Sequence, residues 1–228
     1  MKFHIFERNI GAITESEQRK LCKSSVAIAG LGGLGSIAAE VLARAGIGNF
    51  LLFDPDKVEI TNINRQIGAT FETLGKPKAG VVKERILAIN KWANVKAFSE
   101  PFRYVKADIY LECSDSAYQK AKNGRIIGSR MACYGAAGKG MGIVGLMKGK
   151  NIEKTFMLPS RGKRLSKHIF SKYRKCTSIF TGAAIITGAI QAQQAINFLL
   201  GKTSLKEGEL LIVRPFSRKL TEVVKLGD

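Results

Sequence analysis

The sequence predicts an α/β protein built on a Rossmann-like, doubly wound, mostly parallel sheet, with helices on both faces and a β-hairpin near its C-terminal end. Three observations predict it. An apolar run, Ser25-Val26-Ala27-Ile28, leads straight into a glycine cluster and then into a helical pattern beginning at Ser36. Short apolar runs alternate with helical segments from residue 25 to residue 113, the pattern of strands joined by crossover helices. A second apolar run, Phe50-Leu51-Leu52-Phe53, ends on Asp54. Strand, glycine turn and helix, followed by strand and acid, is a pattern that binds nucleotides. The helix N-terminus offers N–H groups to a phosphate, and the acid meets a ribose hydroxyl.

Each element follows from local signals. Thr14 and Glu17 have the spacing of a reciprocal helix cap, so a polar helix is expected over 14–22. The first strand is 25–30 and the first long helix runs from about 33 to 46, where Gly46 and Gly48 end it. The second strand is 49–54, followed by an irregular or short-helical stretch over 56–66. Pro77 opens a helix that runs to Asn90, with Val81, Val82, Ile86 and Ile89 at helical spacing. Strands are expected over 95–98 and 108–113. A short helix over 116–122 then gives way to a strand beginning at Ile126-Ile127-Gly128. Glycines break up the segment that ends in 143–147, and 152–158 is expected to pair with it as a hairpin. A long apolar helix, low in charge and therefore buried, covers 179–200. Runs 210–213 and 220–224 form the final hairpin. With no repeat, low-complexity tract or linker, 1–228 reads as a single domain, with an N-terminal arm over 1–24 and a basic segment over 148–175.

Composition narrows the function. The hydrophobic share of 45% fits a globular chain with one full core. The apolar stretch over 179–190 carries Thr and Gly and is too short to span a bilayer, and no leader peptide is visible. Cys22, Cys113, Cys133 and Cys176 are scattered. That spacing argues against a disulfide framework and against a zinc site made of paired C-x-x-C motifs, and suits a reducing cytoplasm. The formal charge of +19 implies an anionic partner: nucleic acid, an acidic protein or a phosphorylated small molecule. A lysine-rich surface kept for solubility is the competing explanation.

The residues after the ribose acid separate this chain from a dehydrogenase. Gly30, Gly32 and Gly35 fit G-x-G-x-x-G, but Asn62, Arg65, Gln66 and Lys78 follow. Two amides and two cations there suit a triphosphate. Asp115, directly after the strand over 108–113, suits magnesium, a hard cation that takes a carboxylate together with substrate phosphates. A helix cap is the alternative role for Asp115.

Taken together, the glycine motif, Asp54-Pro55-Asp56, Asn62-Ile63-Asn64-Arg65-Gln66, Gly75-Lys76-Pro77-Lys78 and Cys113-Ser114-Asp115 resemble the ThiF/MoeB/HesA family, relatives of the ubiquitin-activating enzymes. The resemblance resumes at Cys176-Thr177 and the helix after it. It implies an adenylyltransferase that uses ATP and Mg2+ to activate a carboxylate as an acyl adenylate, releasing pyrophosphate. It further implies that Gly30, Gly32, Gly33 and Gly35 form the nucleotide loop and that Asp54 holds the ribose. Asp56, Asn62, Arg65, Gln66 and Lys78 belong with the ATP-binding set, with Arg65 and Lys78 also catalytic, and Asp115 takes the metal. Arg8 resembles an arginine that family homodimers lend to the partner's ATP site. Cys176 resembles a cysteine able to accept the acyl group, although adenylation alone needs none.

The departures bear on the acceptor. Paired C-x-x-C motifs, which many members that charge ubiquitin-like sulfur carriers possess, are missing. The segment before Cys176 holds Lys148, Lys150, Lys154, Arg161, Lys163, Arg164, Lys167, Lys172, Arg174 and Lys175 against Glu153. Arg161, Lys163, Arg164 and Lys167 are its candidate substrate contacts, with a solvated loop as the alternative. A phosphate-bearing small-molecule acid is the favoured acceptor, a pattern that resembles the HcgE branch, which activates guanylylpyridinol for the iron-guanylylpyridinol cofactor. A ubiquitin-like sulfur carrier and threonylcarbamoyladenosine in tRNA remain open, as does a nucleotide-binding scaffold without turnover.

Overall fold

The structure, a computed structural model, describes residues 4–138, 140–152, 179–202 and 205–225. Its frame is one eight-stranded sheet in the order β3-β2-β1-β4-β5-β6-β7-β8. The strands are β1 (Ser25–Ala29), β2 (Asn49–Phe53), β3 (Asn94–Phe98), β4 (Ile109–Glu112), β5 (Met131–Gly138), β6 (Met141–Lys148), β7 (Glu209–Val213) and β8 (Thr221–Lys225). From β3 to β5 every pairing is parallel. From β5 to β8 every pairing is antiparallel. Ala29 is in register with Phe53 on one side and Glu112 on the other. The residues that leave β1, β2 and β4 therefore emerge side by side at one edge of the sheet.

The helices form where their signals stand. Helix α1 (Glu15–Lys23) opens on the expected cap: Thr14 Oγ1 accepts from the Glu17 N–H at 3.2 Å, and Glu17 Oε2 accepts from the Thr14 N–H at 2.9 Å. Helix α2 (Gly33–Ala45) ends at Gly46, left-handed at φ 96°. Helix α3 (Lys78–Ile89) follows Pro77. Helices α4 (Ala117–Ile127) and α5 (Thr181–Leu200) follow.

Alternation along β1 sends side chains into two cores. Val26 and Ile28 join Phe50 and Leu52 against Ala38 and Leu42 of α2, Ile86 of α3 and Ala192 and Ala195 of α5. Ala27 and Ala29 face the other way, with Phe53, Tyr110, Phe102 and Ile127 of α4. Helices thus cover both faces, as a buried parallel sheet requires.

Four expectations need correction. Ile126-Ile127-Gly128 does not begin a strand; the two isoleucines close α4, where Ile127 is buried, and the strand begins at Met131. The glycines do not break the pairing: β5 and β6 pair antiparallel along their whole lengths, from Met131 with Lys148 to Gly138 with Met141. Ile152 does not start a strand that pairs with β6, because 149–152 are helical and both edges of β6 are taken, by β5 and by β7. The rest of that expected strand lies outside the described residues. Finally, the apolar helix is not too short for a membrane: Thr181–Leu200 has the length and composition of a span. Its burial assigns it to the core, where Ala184, Ala192, Ala195 and Ile196 pack against α2 and the sheet.

Candidate functional site

The glycine turn is shaped by two close approaches. Gly30 has φ +88°, which side-chain-bearing residues rarely adopt, and a Cβ there would lie 2.9 Å from the Ser114 N. A Cβ at Gly35 would lie 1.9 Å from the Gly30 carbonyl oxygen. The first turn of α2 thus packs directly onto the strand–turn junction. Gly32 caps that helix with no side-chain bond, so first-turn N–H groups remain for an anion.

Asp54 leaves β2 beside this turn. It is buried, and its carboxylate spans two backbone donors: Oδ2 accepts from the Leu31 N–H at 2.6 Å and Oδ1 from the Asp56 N–H at 2.9 Å. Burial pushes the carboxyl above the ordinary aspartate range, against the opposing pull of those two N–H groups and of Lys78.

The segment after Asp54 returns to the turn. Asn62 is buried and its Oδ1 accepts from the Glu59 N–H at 3.1 Å, which closes the short 3-10 turn Ile60–Asn62. The buried Gln66 side chain faces Gly32, where a Cβ would lie 3.6 Å from its Nε2. The Arg65 stem covers Gly33, where a Cβ would lie 3.4 Å from its Cγ. Arg65 Nη1 donates to the Thr61 carbonyl at 2.9 Å and to Asn64 Oδ1 at 2.8 Å. Asn64 in turn anchors α5: its Nδ2 donates to the Ile179 carbonyl at 3.2 Å, and its own carbonyl accepts from Thr181 Oγ1 at 2.6 Å. Lys78, at the start of α3, is mostly buried and pairs through Nζ with Asp56 Oδ2 at 3.1 Å.

Asp115 lies exposed on the loop between β4 and α4. It is not the helix cap: Ser116 is, with its Oγ accepting from the Gln119 N–H at 3.0 Å. The turn residues, Asp54, Asp56, Asn62, Arg65, Gln66, Lys78 and the loop bearing Asp115 are therefore gathered at one edge of the sheet. Arg8 is not among them. It is exposed on the 3-10 helix His4–Asn9, whose Phe6 packs against Gly46 at the far end of α2. Thirteen helical residues put that end about 20 Å from the glycine turn. Arg161, Lys163, Arg164, Lys167 and Cys176 lie outside the described residues. Cys113 and Cys133 are buried, as expected of small core residues; burial pushes the Cys113 thiol up to about 12 and raises Cys133 as well.

Sequence reasoning missed one cluster under this edge. Glu112, the last residue of β4, is fully buried and pairs with Lys120 of α4 at 2.8 Å. The available signal was an acid closing an otherwise apolar strand, which demands a buried partner.

With this geometry described, comparison with known proteins is informative. The model of the ThiF family matches residues 6–227. The tRNA threonylcarbamoyladenosine dehydratase of Bacillus subtilis is 42% identical over 125 residues, which cover 51% of this chain and 49% of that protein. The ThiS adenylyltransferase of Escherichia coli is 38% identical over 106 residues, covering 43% and 42%. The chain thus spans about half the length, or less, of these curated relatives. The molybdopterin-synthase adenylyltransferase of Haemophilus influenzae is matched more fully, 30% identical over 217 residues that cover 90% of this chain and 87% of the relative. Among solved structures, E. coli MccB superposes with a TM-score of 0.75 at 20% identity, over 92% of this chain and 67% of MccB, a likeness of fold.

Proposed function

We propose that this chain, which belongs to the ThiF family, is an ATP-dependent adenylyltransferase that activates a carboxylate. One acceptor oxygen attacks the α-phosphorus of ATP. The bond from that phosphorus to the bridging oxygen breaks, and pyrophosphate leaves with the electron pair. The observation that carries this is the packing of Arg65 and Gln66 on an uncapped helix N-terminus beside a buried ribose-side acid, with Lys78 paired to Asp56 two residues past that acid. Lys78 is held by Asp56, and Arg65 by Thr61 and Asn64. A bound triphosphate would draw both cations onto its oxygens, where they neutralise the charge that develops on the leaving group.

The donor set also suits magnesium. Among the described residues no cluster of three or more His, Cys, Asp or Glu could cage a metal ion. Magnesium needs no such cage, because it takes one or two carboxylates and completes its shell with phosphates and water. Asp115 is the residue that would hold it, and the ion would supply charge neutralisation at the phosphates. Arg8 cannot reach the turn of its own chain, so its catalytic role requires a homodimer in which it serves the partner's site.

The favoured acceptor is an anionic small-molecule acid bearing phosphate, of the guanylylpyridinol kind, since a chain of charge +19 without paired C-x-x-C motifs suits it. A second reading, the carboxyl of threonylcarbamoyladenosine in tRNA, has the Bacillus subtilis relative behind it. Exchange of labelled pyrophosphate into ATP, with each acceptor class added in turn, tests the reaction and selects between them. Tight NAD binding without ATP binding, measured by calorimetry, would sink the adenylation reading.

A further inference from the structure

The ion pair of Glu112 and Lys120 has no part in the chemistry above, yet it is almost wholly out of water: Glu112 is 0% exposed and Lys120 2%. Lys120 Nζ donates to Glu112 Oε2 at 2.8 Å and to the Gly135 carbonyl of β5 at 2.7 Å. The other carboxylate oxygen, Oε1, accepts from Asn123 Nδ2 at 3.1 Å, from the Ser114 N–H at 3.1 Å and from the Ser114 hydroxyl. Asn123 is itself fixed, its Oδ1 accepting from Gln119 Nε2 at 2.8 Å. Every oxygen of the carboxylate is in use.

Burying two charges is expensive, and a well-packed apolar pair of the same volume commonly supports a fold as well or better. An apolar pair could not hold Ser114 by both its N–H and its hydroxyl. Ser114 stands at a junction. Its backbone nitrogen abuts Gly30, where a Cβ would come within 2.9 Å, and the next residue along the chain is Asp115. The carboxylate beneath Ser114 therefore grips a residue that touches the glycine turn and leads directly to the candidate metal ligand.

We propose that Glu112 and Lys120, acting through Ser114, are positioning residues that hold Asp115 in register with the glycine turn so that both engage one metal-bound triphosphate. This rests on the assignment of magnesium to Asp115. It adds that the register is set from below, by a neutral, hydrogen-bonded ion pair. Lys120 extends the grip to β5 through Gly135, so the two strands move as one support.

Calorimetric titration of ATP, once with Mg2+ and once with EDTA, separates this from a role in folding alone. The variants are the Glu112→Gln/Lys120→Met double substitution, which removes both charges at similar volume, and Ser114→Ala, which leaves the pair intact. Binding of Mn2+ to the ATP complex, followed by electron paramagnetic resonance, gives a readout independent of turnover. In the folded double variant the affinity gained from Mg2+ should fall about ten-fold or more, the usual size of a loss of ligand support, while metal-free affinity stays within about two-fold. Ser114→Ala should show the same split to a smaller degree, and Ser114→Thr should restore it. Full retention of the Mg2+ gain, or equal loss with and without metal, would overturn the proposal. If the double variant does not fold, Ser114→Ala decides by the same criterion. Asp115→Asn identifies which idea has failed. If that variant keeps the Mg2+ gain, the metal assignment falls; if it loses the gain and the pair variants keep it, only the positioning role falls.

Discussion

Two acidic strand ends flank β1, and they are built in opposite ways. On the β2 side Asp54 is buried, and each of its carboxylate oxygens is tied to a backbone N–H. On the β4 side Asp115 is exposed, and the buried carboxylate lies three residues earlier, at Glu112. Asp54 therefore acts on the turn directly, as part of its hydrogen-bonding scaffold. Asp115 is left projecting, and a different carboxylate does the scaffolding beneath it. Under the proposed function, one sheet edge would combine a rigid sugar-side contact with a carboxylate that still has lone pairs for a metal.

The largest effects should separate the two acids. Asp115→Ala should cut pyrophosphate exchange by about 10²–10³, the usual loss when one charge-stabilising group is removed. Its thermal stability should stay within about 0.5 kcal/mol of the parent, as for an exposed side chain. Asp54→Ala should fail on both counts. It leaves the Leu31 and Asp56 N–H groups without their acceptor, and an orphaned buried donor costs about 1–3 kcal/mol. A stable Asp54→Ala, or an unfolded Asp115→Ala, would break the comparison.

Complementation should give the next largest signal. Arg8→Ala and Lys78→Ala should each be nearly inactive alone. If Arg8 serves the partner's site, random mixing makes half of the dimers hybrid, each with one intact site, and exchange recovers to about a quarter of the parent's. No recovery on mixing, or a monomer by light scattering under active conditions, would remove the in-trans role.

A smaller effect sharpens the account of Asp54. Its carboxyl is raised above the ordinary range by burial, so the folded chain holds that proton more tightly than the unfolded chain does. As pH rises from the ordinary aspartate value through the raised one, the folded state loses stability from this group; below that window the contribution is intact. Nucleotide affinity should run the other way, because a ribose hydroxyl donates to the ionised form. Affinity for ATP should fall as pH drops through the raised value, and Asp54→Ser should flatten both trends. The two are measured by urea titration and calorimetry over the same pH series.

The smallest expected effect is an absence of reaction. With the Cys113 thiol raised to about 12 and Cys133 raised as well, native protein at pH 8 should leave both unmodified by iodoacetamide while denatured protein reacts. Fast native labelling of Cys113 would mean that the β4 end opens far more readily than its burial implies.

Part of the frame was legible in the sequence, because the glycine spacing, the acid closing the second apolar run and the cap of α1 are local patterns, although the partners of Gly30 and Asp54, Ser114 and Leu31, are distant in sequence. The central hairpin was not. Its glycines look like breaks, but three of them admit a neighbour from another element: Gln191 of α5 at Gly135, Thr187 of α5 at Gly142, and the Tyr134 ring of β5 at Gly145. Nothing local announces that purpose. The end of α4 was misread for a related reason. Lys120 and Asn123 face inward to Glu112, so the helix lacks the usual polar-out pattern, and its terminal isoleucines resemble a strand. A charge buried against a distant charge looks like a surface charge until the partner is known.

The change from parallel to antiparallel pairing at β5 also has a consequence for how the chain assembles. Strands β1, β2 and β3 and their helices are close in sequence, so their contacts close short loops. The β6–β7 ladder pairs Gly145 with Leu210 and cannot form until the long stretch containing α5 has been gathered in. Loop-closure entropy and non-local pairing both slow such a step. The nucleotide half is thus expected to fold first and to serve as the template on which the late strands dock. Until they do, the edge of β6 stays open to other chains, and that interval is when this protein is most exposed to aggregation.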